Sequence, residues 1–478
     1  MATIISGRKK VQILYMKKIF VSAGLLAAGA AGLQPALASG PDLVSPKAWN
    51  ISASLRGFYD DNYDISGTKR GSFGAEFSPT ISLNVPMQQT DFGLRYTYGL
   101  YYYQDRDALG LNPFDQSHQV NIWLDHAFNT RWKVNVSDTF AVGQEPELIG
   151  PQTGGNPVQY RVNGDNIANH ATIKLDTEWT RQFSTSLVYG NSYYDYSNSG
   201  TTLGGPPSGS FNILTTGIPN GQPFFQFLSS GLPSLAGTLN RIEQNVSLDL
   251  QWHFQPETVG FVGYNLSFVN YLGNEPIGVF NYYALDVAHP GSLVYYSNSR
   301  DSLSHYAYVG VSHQFTANLS GTLKGGASYT DSYNDPLQTT TSISPYADLS
   351  VSYTYIPGSY VQLGFTHDIN STVVASVNAI NGSMTQYAES SVIYASINHR
   401  FNPKLLGTII GQCQYSTYQG GANASATDAD YNFGINLSYH FTTHFSADLG
   451  YNFDYLQSNS TIPTYSRNRV YFGFGASY

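Results

Sequence analysis

Charge is scarce in this sequence: only 12% of its 478 residues are Asp, Glu, Lys or Arg, against roughly 25% in an average soluble domain. A chain so poor in charge rarely presents an ordinary solvated surface. Its one cysteine, Cys413, excludes an internal disulfide and any cysteine-based zinc site. The Leu, Ala, Glu and Lys that build long amphipathic helices give way to Tyr, Phe, Gly, Asn, Ser and Thr, a menu suited to strands and turns. Past residue 38 no apolar run reaches the length of a spanning helix, which leaves closed barrels as membrane candidates. Aromatics make up 14% of the chain, and with polar residues interspersed among them the composition argues against disorder.

The first 38 residues have the layout of a secretory signal. Met16, Lys17 and Lys18 open a basic segment, Ile19 to Leu33 supply the apolar core, and Ala36, Leu37 and Ala38 form a small-x-small cleavage site. Cleavage is expected after Ala38. Met16 alone begins a complete signal, so residues 1–15 read as an upstream extension of the true start, the alternative being a long basic segment. Residues 39–478 then form a single domain. The leader holds five of the 23 basic residues and none of the 32 acids, so the remainder is strongly acidic and nucleic-acid binding is poorly supported.

Periodicity fixes the class. From Phe445 to Tyr455 the odd positions are apolar, Leu449, Tyr451 and Phe453 among them, while Ser446, Asp448, Gly450, Asn452 and Asp454 fill the even ones. Period two means a strand with one wet face and one greasy face. On this phase Leu449 faces lipid and tolerates no charge, whereas its neighbour Gly450 faces the interior and should accept serine. The same alternation predicts about 18 strands, near 49–59, 72–85, 92–104, 116–129, 132–144, 166–180, 183–195, 240–254, 258–271, 302–315, 319–332, 342–356, 359–369, 385–401, 404–418, 429–441, 444–457 and 465–478. Short connections, such as Asn129 to Arg131, Pro357-Gly358 and Asn402-Pro403, alternate with long ones, the longest across 196–239. A closed antiparallel up-and-down transmembrane barrel predicts that alternation, with tight turns on the periplasmic side and long loops outside.

Aromatics sort to strand ends, as headgroup belts require. Phe92, Phe128, Trp132, Trp179, Phe183, Phe254, Phe315, Phe401, Phe441 and Phe445 flank short turns, and Tyr59, Tyr102, Tyr193, Tyr271, Tyr329, Tyr418 and Tyr455 mark the opposite ends. In the last segment Val470, Phe472, Phe474 and Ala476 alternate up to the terminal Tyr478, which resembles the insertion signal read by the outer-membrane barrel assembly machinery. Near the start, the run from Leu55 through Arg56, Phe58, Tyr59, Asp60 and Asp61 to Asn62 resembles the opening strand of the family called putative beta-barrel porin 2. That resemblance implies a bacterial outer-membrane barrel, with membrane lipid, lipopolysaccharide and the assembly machinery as its partners.

Within strands, a lipid-facing charge costs up to about 2–4 kcal/mol at the midplane, so charged positions should point inward. Alternation places Arg56, Arg95, Lys133, Lys174, Lys324 and Arg400 there, with Glu76, Asp125, Asp176, Glu178, Asp249, Asp348, Asp368, Asp448 and Asp454. Each is a pore-lining candidate, and each also suits a structural ion pair across neighbouring strands. Glu145, Glu147 and Arg161 lie in a connection, 145–165, that would fold inward as a constriction. The long 196–239 connection carries Phe224, Phe225, Phe227 and Leu228, too apolar to be left in water.

No catalytic constellation emerges, and no cofactor or metal is called for. Asp60, Asn62 and Asp64 have the rhythm of a calcium loop, but Ile65 stands where its glycine belongs, and an acidic surface loop is the better reading. His440 and His444 straddle a strand turn without a third ligand and read as interfacial polar residues. The sequence therefore predicts a passive, weakly cation-preferring channel for small hydrophilic solutes. An exopolysaccharide export pore, a plugged structural or adhesive barrel, and an enzyme stand as alternatives. Solute identity and any homo-oligomer are beyond the sequence.

Overall fold

The computed structural model of the chain describes residues 48–143, 166–197, 212–217, 223–228, 234–281, 292–337, 340–378 and 380–478. Eighteen antiparallel strands close into one sheet. They are β1 (Trp49–Asp60), β2 (Ser72–Pro86), β3 (Thr90–Tyr103), β4 (Phe114–Ala127), β5 (Trp132–Gly143), β6 (Asn166–Glu178), β7 (Phe183–Tyr196), β10 (Arg241–Gln255), β11 (Thr258–Tyr271), β14 (Ser302–Thr316), β15 (Leu319–Ser332), β16 (Thr340–Ile356), β17 (Ser359–Asn370), β18 (Tyr387–Asn402), β19 (Leu405–Gln419), β20 (Thr427–His440), β21 (Phe445–Ser458) and β22 (Tyr465–Ser477). Every expected strand is present. The remaining strands, β8 (Asn212–Gly217) with β9 (Pro223–Leu228) and β12 (Pro276–Asn281) with β13 (Ser292–Tyr296), pair as two hairpins apart from the barrel sheet. Two single-turn helices, α1 (Gln104–Ala108) and α2 (Leu235–Leu239), lie in long connections. The expected signal segment, residues 1–38, and the 145–165 connection, with Glu145, Glu147 and Arg161, fall outside the described residues, as do the side chains of Phe224 to Leu228.

The alternation separates two solvents. On β1 Leu55 is 60% exposed and the adjacent Arg56 only 3%, the reverse of what a soluble sheet would show. At the short-turn end Trp132, Trp179, Trp252, Phe254, Phe315, Phe401 and Phe441 point outward and exposed, and Tyr59, Tyr264, Tyr329, Tyr415 and Tyr431 do so nearer the long loops. Two tyrosines expected in that second belt face the interior instead. Tyr271 stands opposite Arg241 in the ladder and lies under the Arg300 guanidinium, and the buried Tyr418 hydroxyl donates to Asp428. Strand phase overrides the preference of a terminal tyrosine for the interface.

Side chains preset the short turns. Asn129 accepts from the backbone N–H of Arg131 and Trp132, and Asn402 does the same for Lys404 and Leu405, so each carbonyl side chain stands in for a turn partner. Thr180 and Thr442 repeat the device with hydroxyls.

Closure depends on β1 meeting β22, from Ser52 opposite Ser477 to Asp60 opposite Arg469. The Asp60-Asp61-Asn62 run forms the clamp on this seam. Asp60, fully buried, takes Arg467 Nη2 at 2.6 Å and Arg469 Nε at 3.0 Å. Asp61 accepts from the backbone and side-chain N–H of Asn468 at 2.6 and 2.8 Å, and Asn62 Nδ2 donates to the Ser66 and Ser466 carbonyls. Burial would raise the Asp61 pKa, yet the bonds from Lys69 and Asn468 hold it below the usual carboxylate range. Of the acidic surface loop expected at Asp60, Asn62 and Asp64, the first two are buried at the seam, while Asp64 lies partly exposed beside Arg70. Asp60 and Asp61 both bond across the seam to partners more than 400 residues away, and Asp61 also pairs with Lys69 at 2.8 Å.

One expectation about space also changes. A Cβ built on Gly450 would stand 2.1 Å from the Tyr471 ring, because that ring lies flat on the glycine of the neighbouring strand. Phe58 over Gly74, Tyr308 over Gly263 and Tyr394 over Gly364 repeat the joint. Gly450→Ser therefore disturbs packing, and Asn452, inward and half-buried on the same strand, is the position that tolerates serine.

Leu449→Arg is expected to lower barrel stability by up to about 2–4 kcal/mol while Asn452→Ser stays near neutral, measured as urea midpoints by heat-modifiable gel mobility. Equal effects would refute the face assignment. At the seam, Asp60→Asn removes the buried carboxylate that Arg467 and Arg469 share and is expected to cost about 3–5 kcal/mol. Adding Arg467→Gln and Arg469→Gln should restore most of that loss, and absence of any rescue would contradict the clamp.

Candidate pore lining and constriction

The pore-lining candidates named above all fall on the inward phase of their strands, and most are already engaged. Arg56 reaches Glu76 at 3.2 Å and Asp448 at 3.9 Å, Lys324 reaches Asp348 at 3.5 Å, and Lys174 reaches Asp176 at 3.1 Å. Asp249 accepts from the Tyr308 hydroxyl at 2.6 Å, Asp368 from the Ile369 N–H at 2.7 Å, and Asp125 from Asn135. Arg400 lends its backbone N–H to Ser359 at 2.8 Å. Asp454 sits opposite Arg467 in the ladder. Arg95, Lys133 and Glu178 remain exposed on the inward side.

Four acids of the described strands, Asp138, Asp195, Asp331 and Glu389, break the expectation that every strand charge turns inward. Asp138 on β5 points outward, its carboxylate held by Asn169 Nδ2 at 2.8 Å, and outward Glu389 on β18 is bonded to His367 Nε2 at 3.0 Å. A hydrogen-bonded carboxylate carries part of its solvation with it, and that offsets the lipid-facing position.

The same alternation turns further charges inward. Arg467 and Arg469 are out of phase with Val470 and Phe472, and Arg241 and Glu243 are out of phase with Val246 and Leu248. Arg241 Nε donates to Glu243 at 2.6 Å while the guanidinium lies 4.1 Å from the Tyr194 ring centre. Asp428 and Asp430 also point inward.

Toward the long loops the interior changes character. Ile65, Leu235, Leu239, Val373, Val374 and Ile462, all from long connections, pack with Tyr196, Tyr418, Leu456 and Tyr465 from the wall into one buried apolar cluster. Tyr196 belongs to β7, whereas Tyr418, Leu456 and Tyr465 belong to β19, β21 and β22, far around the ring. The cluster therefore crosses the barrel interior. The sequence points to a constriction in 145–165 and to a packed, apolar connection in 196–239. Of these, α2 is described in the cluster, and the connection from Ser371 to Gln386, between β17 and β18, adds Val373 and Val374 beside Ile65 and Ile462 from two others.

One guanidinium organises this crossing. Arg300 donates through Nη1 to the Thr238 carbonyl at 3.2 Å and through Nη2 to those of Thr372 at 2.6 Å and Gln386 at 3.5 Å. It thus ties α2 to both ends of the 371–386 segment. Burial, with Arg241 nearby, pushes its pKa down, yet an arginine keeps its charge. The Tyr295 hydroxyl holds the middle of the segment through the Gly382 carbonyl at 2.5 Å. No periodic pattern marks any of these contacts.

The barrel thus has a greasy outer wall, a charged and hydroxylated inner wall and an internal crossing. Residues 288–478 match the family model described as putative beta-barrel porin 2. Among solved structures, OccAB2 of Acinetobacter baumannii is similar at 9% identity and a TM-score of 0.42, over 90% of this chain and 98% of its own. OccK2 (OpdF) of Pseudomonas aeruginosa, in complex with glucuronate, gives 10% and 0.41 over 90% and 98%. A BenF-like porin from Pseudomonas fluorescens gives 10% and 0.41 over 90% and 99%. No curated protein matches the chain.

Arg300→Ala removes three charge-assisted bonds, each worth about 1.5–3 kcal/mol, from the crossing and none from the strand ladder. Protease cleavage within 371–386 should appear and ion conductance should rise, with the barrel still heat-modifiable. Unchanged protection and conductance would show that the crossing stands without this residue.

Proposed function

We propose that the chain is a porin-like channel of the bacterial outer membrane through which small hydrophilic solutes diffuse, weakly preferring cations. The observation that carries the reading is the division of one closed wall into an apolar outer face with aromatic ends and an inner face of paired charges, hydroxyls and amides. A soluble protein has no use for that inversion. The match of residues 288–478 to a porin family model supports the same reading. The inward pore-lining charges then act as an electrostatic lining. Val470, Phe472, Phe474 and Tyr478, all outward and exposed, serve as the signal for assembly into the membrane.

The apolar crossing favours a second reading, a barrel plugged at its loop end. An open step in single-channel recordings of refolded protein supports the channel, and its complete absence supports the plug.

Cation preference follows from the lining. Within the described strands, Asp60, Asp91, Asp115, Glu243, Asp428 and Asp430 join the inward acids named above, and only Arg241, Arg467 and Arg469 join the bases. Acidic walls raise local cation concentration, while screening over about 8–10 Å at physiological salt keeps the effect small. Reversal potentials in a potassium chloride gradient should show a modest cation preference at low salt that vanishes near about 1 M, where the screening length falls to about 3 Å. Anion preference at low salt would overturn the lining and point to an exporter of acidic polymer.

A further inference from the structure

The five tryptophans do not share one role. Trp49, Trp132, Trp179 and Trp252 stand exposed on the outer face at the short-turn end, where an indole bridges hydrocarbon and water. Trp123 on β4 is on the opposite phase and faces the interior, where no lipid boundary exists to explain it. Its ring lies across Gly93 of β3, so close that a Cβ there would stand 1.9 Å from the indole. On the other flank the ladder places Ser137 of β5. Glycine on one side and serine on the other leave the indole as a low, flat surface on the inner wall.

The ladder surrounds that surface with hydrogen-bonding groups of both kinds. Arg95 pairs with Asn121 one inward step above Trp123, and Asp91 pairs with Asp125 one step below. Unlike Tyr308 or Tyr471, which make the same joint with a glycine but are buried, Trp123 is half-exposed, and Arg95 and Asp125 are exposed. Among the described residues the indole N–H has no acceptor and Arg95 no carboxylate partner.

We propose that Trp123 is the floor of a solute subsite for neutral hydroxylated rings of the pyranose class, with Arg95, Asn121 and Asp125 as its hydrogen-bonding rim. A pyranose presents C–H bonds on its faces and hydroxyls around its edge. The faces match the electron-rich side of an aromatic ring, and the edge matches a rim that offers both donors and acceptors. Cation and carboxylates in one rim favour an uncharged ligand over either ion. The proposal rests on the channel reading, because it gives the diffusing solute a class.

Two measurements test it with glucose as the probe and glycerol as the ringless control. In bilayer recordings glucose should reduce ion current saturably and glycerol should not. Trp123→Ala should weaken the glucose effect about tenfold, the scale of a ring-stacking contact, and Trp123→Phe should keep most of it. In detergent, glucose should shift the tryptophan fluorescence of the wild type and leave that of Trp123→Phe unchanged, since the remaining indoles face outward. An equal glucose response in wild type and Trp123→Ala, or none in a conducting wild type, overturns the subsite. A protein that never conducts overturns the channel reading instead, and the fluorescence titration, which needs no conduction, still decides whether glucose meets Trp123.

Discussion

A backbone that crosses hydrocarbon must find every hydrogen-bond partner within itself, since lipid offers neither donors nor acceptors and each orphaned group costs several kcal/mol. A sheet satisfies that demand only when its first and last strands meet, so the β1–β22 contact governs everything else here. Strand phase, the inward set of charges and the shape of the interior are all consequences of a wall with no free edge. The clamp of Asp60 and Asp61 on Arg467, Asn468 and Arg469 fixes the register at which the edges join. A slip of one residue there would turn the residues of β1 or β22 to the wrong face.

Within that wall the two ends differ. At the short turns the strands are joined by preset Asn and Thr side chains and the inner surface is accessible around β3 to β5. At the long loops the interior fills with an apolar cluster hung on Arg300. The crossing consists of connection segments tied by side-chain bonds to carbonyls, so it can change without breaking the ladder of the wall.

Much of this was legible in the sequence because lipid and water imprint period two on each strand. The run from Phe445 to Tyr455 shows its two faces without reference to any neighbour, and the strand limits follow. What failed needed cross-strand knowledge. Tyr271 and Tyr418 were read by residue type at a strand end, but the phase of their strands turns them inward. Gly450 looked like empty space because the ring that occupies it, Tyr471, comes from the adjacent strand. The seam partners of Asp60 sit at the far end of the chain, where no local spacing could link them. Arg300 and the 371–386 segment left no periodic trace, since loop packing is held by carbonyl contacts that any sequence can supply.

The seam also sets a condition on synthesis. Its partners are separated by almost the whole chain, so the contact of highest contact order is also the one that must wait longest. Until Arg467 to Arg469 have been made, β1 has only one neighbour and presents a row of unpaired backbone groups, the kind of edge that recruits other chains. A nascent or truncated copy is thus an open sheet with two adhesive borders, and a finished one has none. Joining of β1 to β22 and loss of the aggregation-prone edges are a single event.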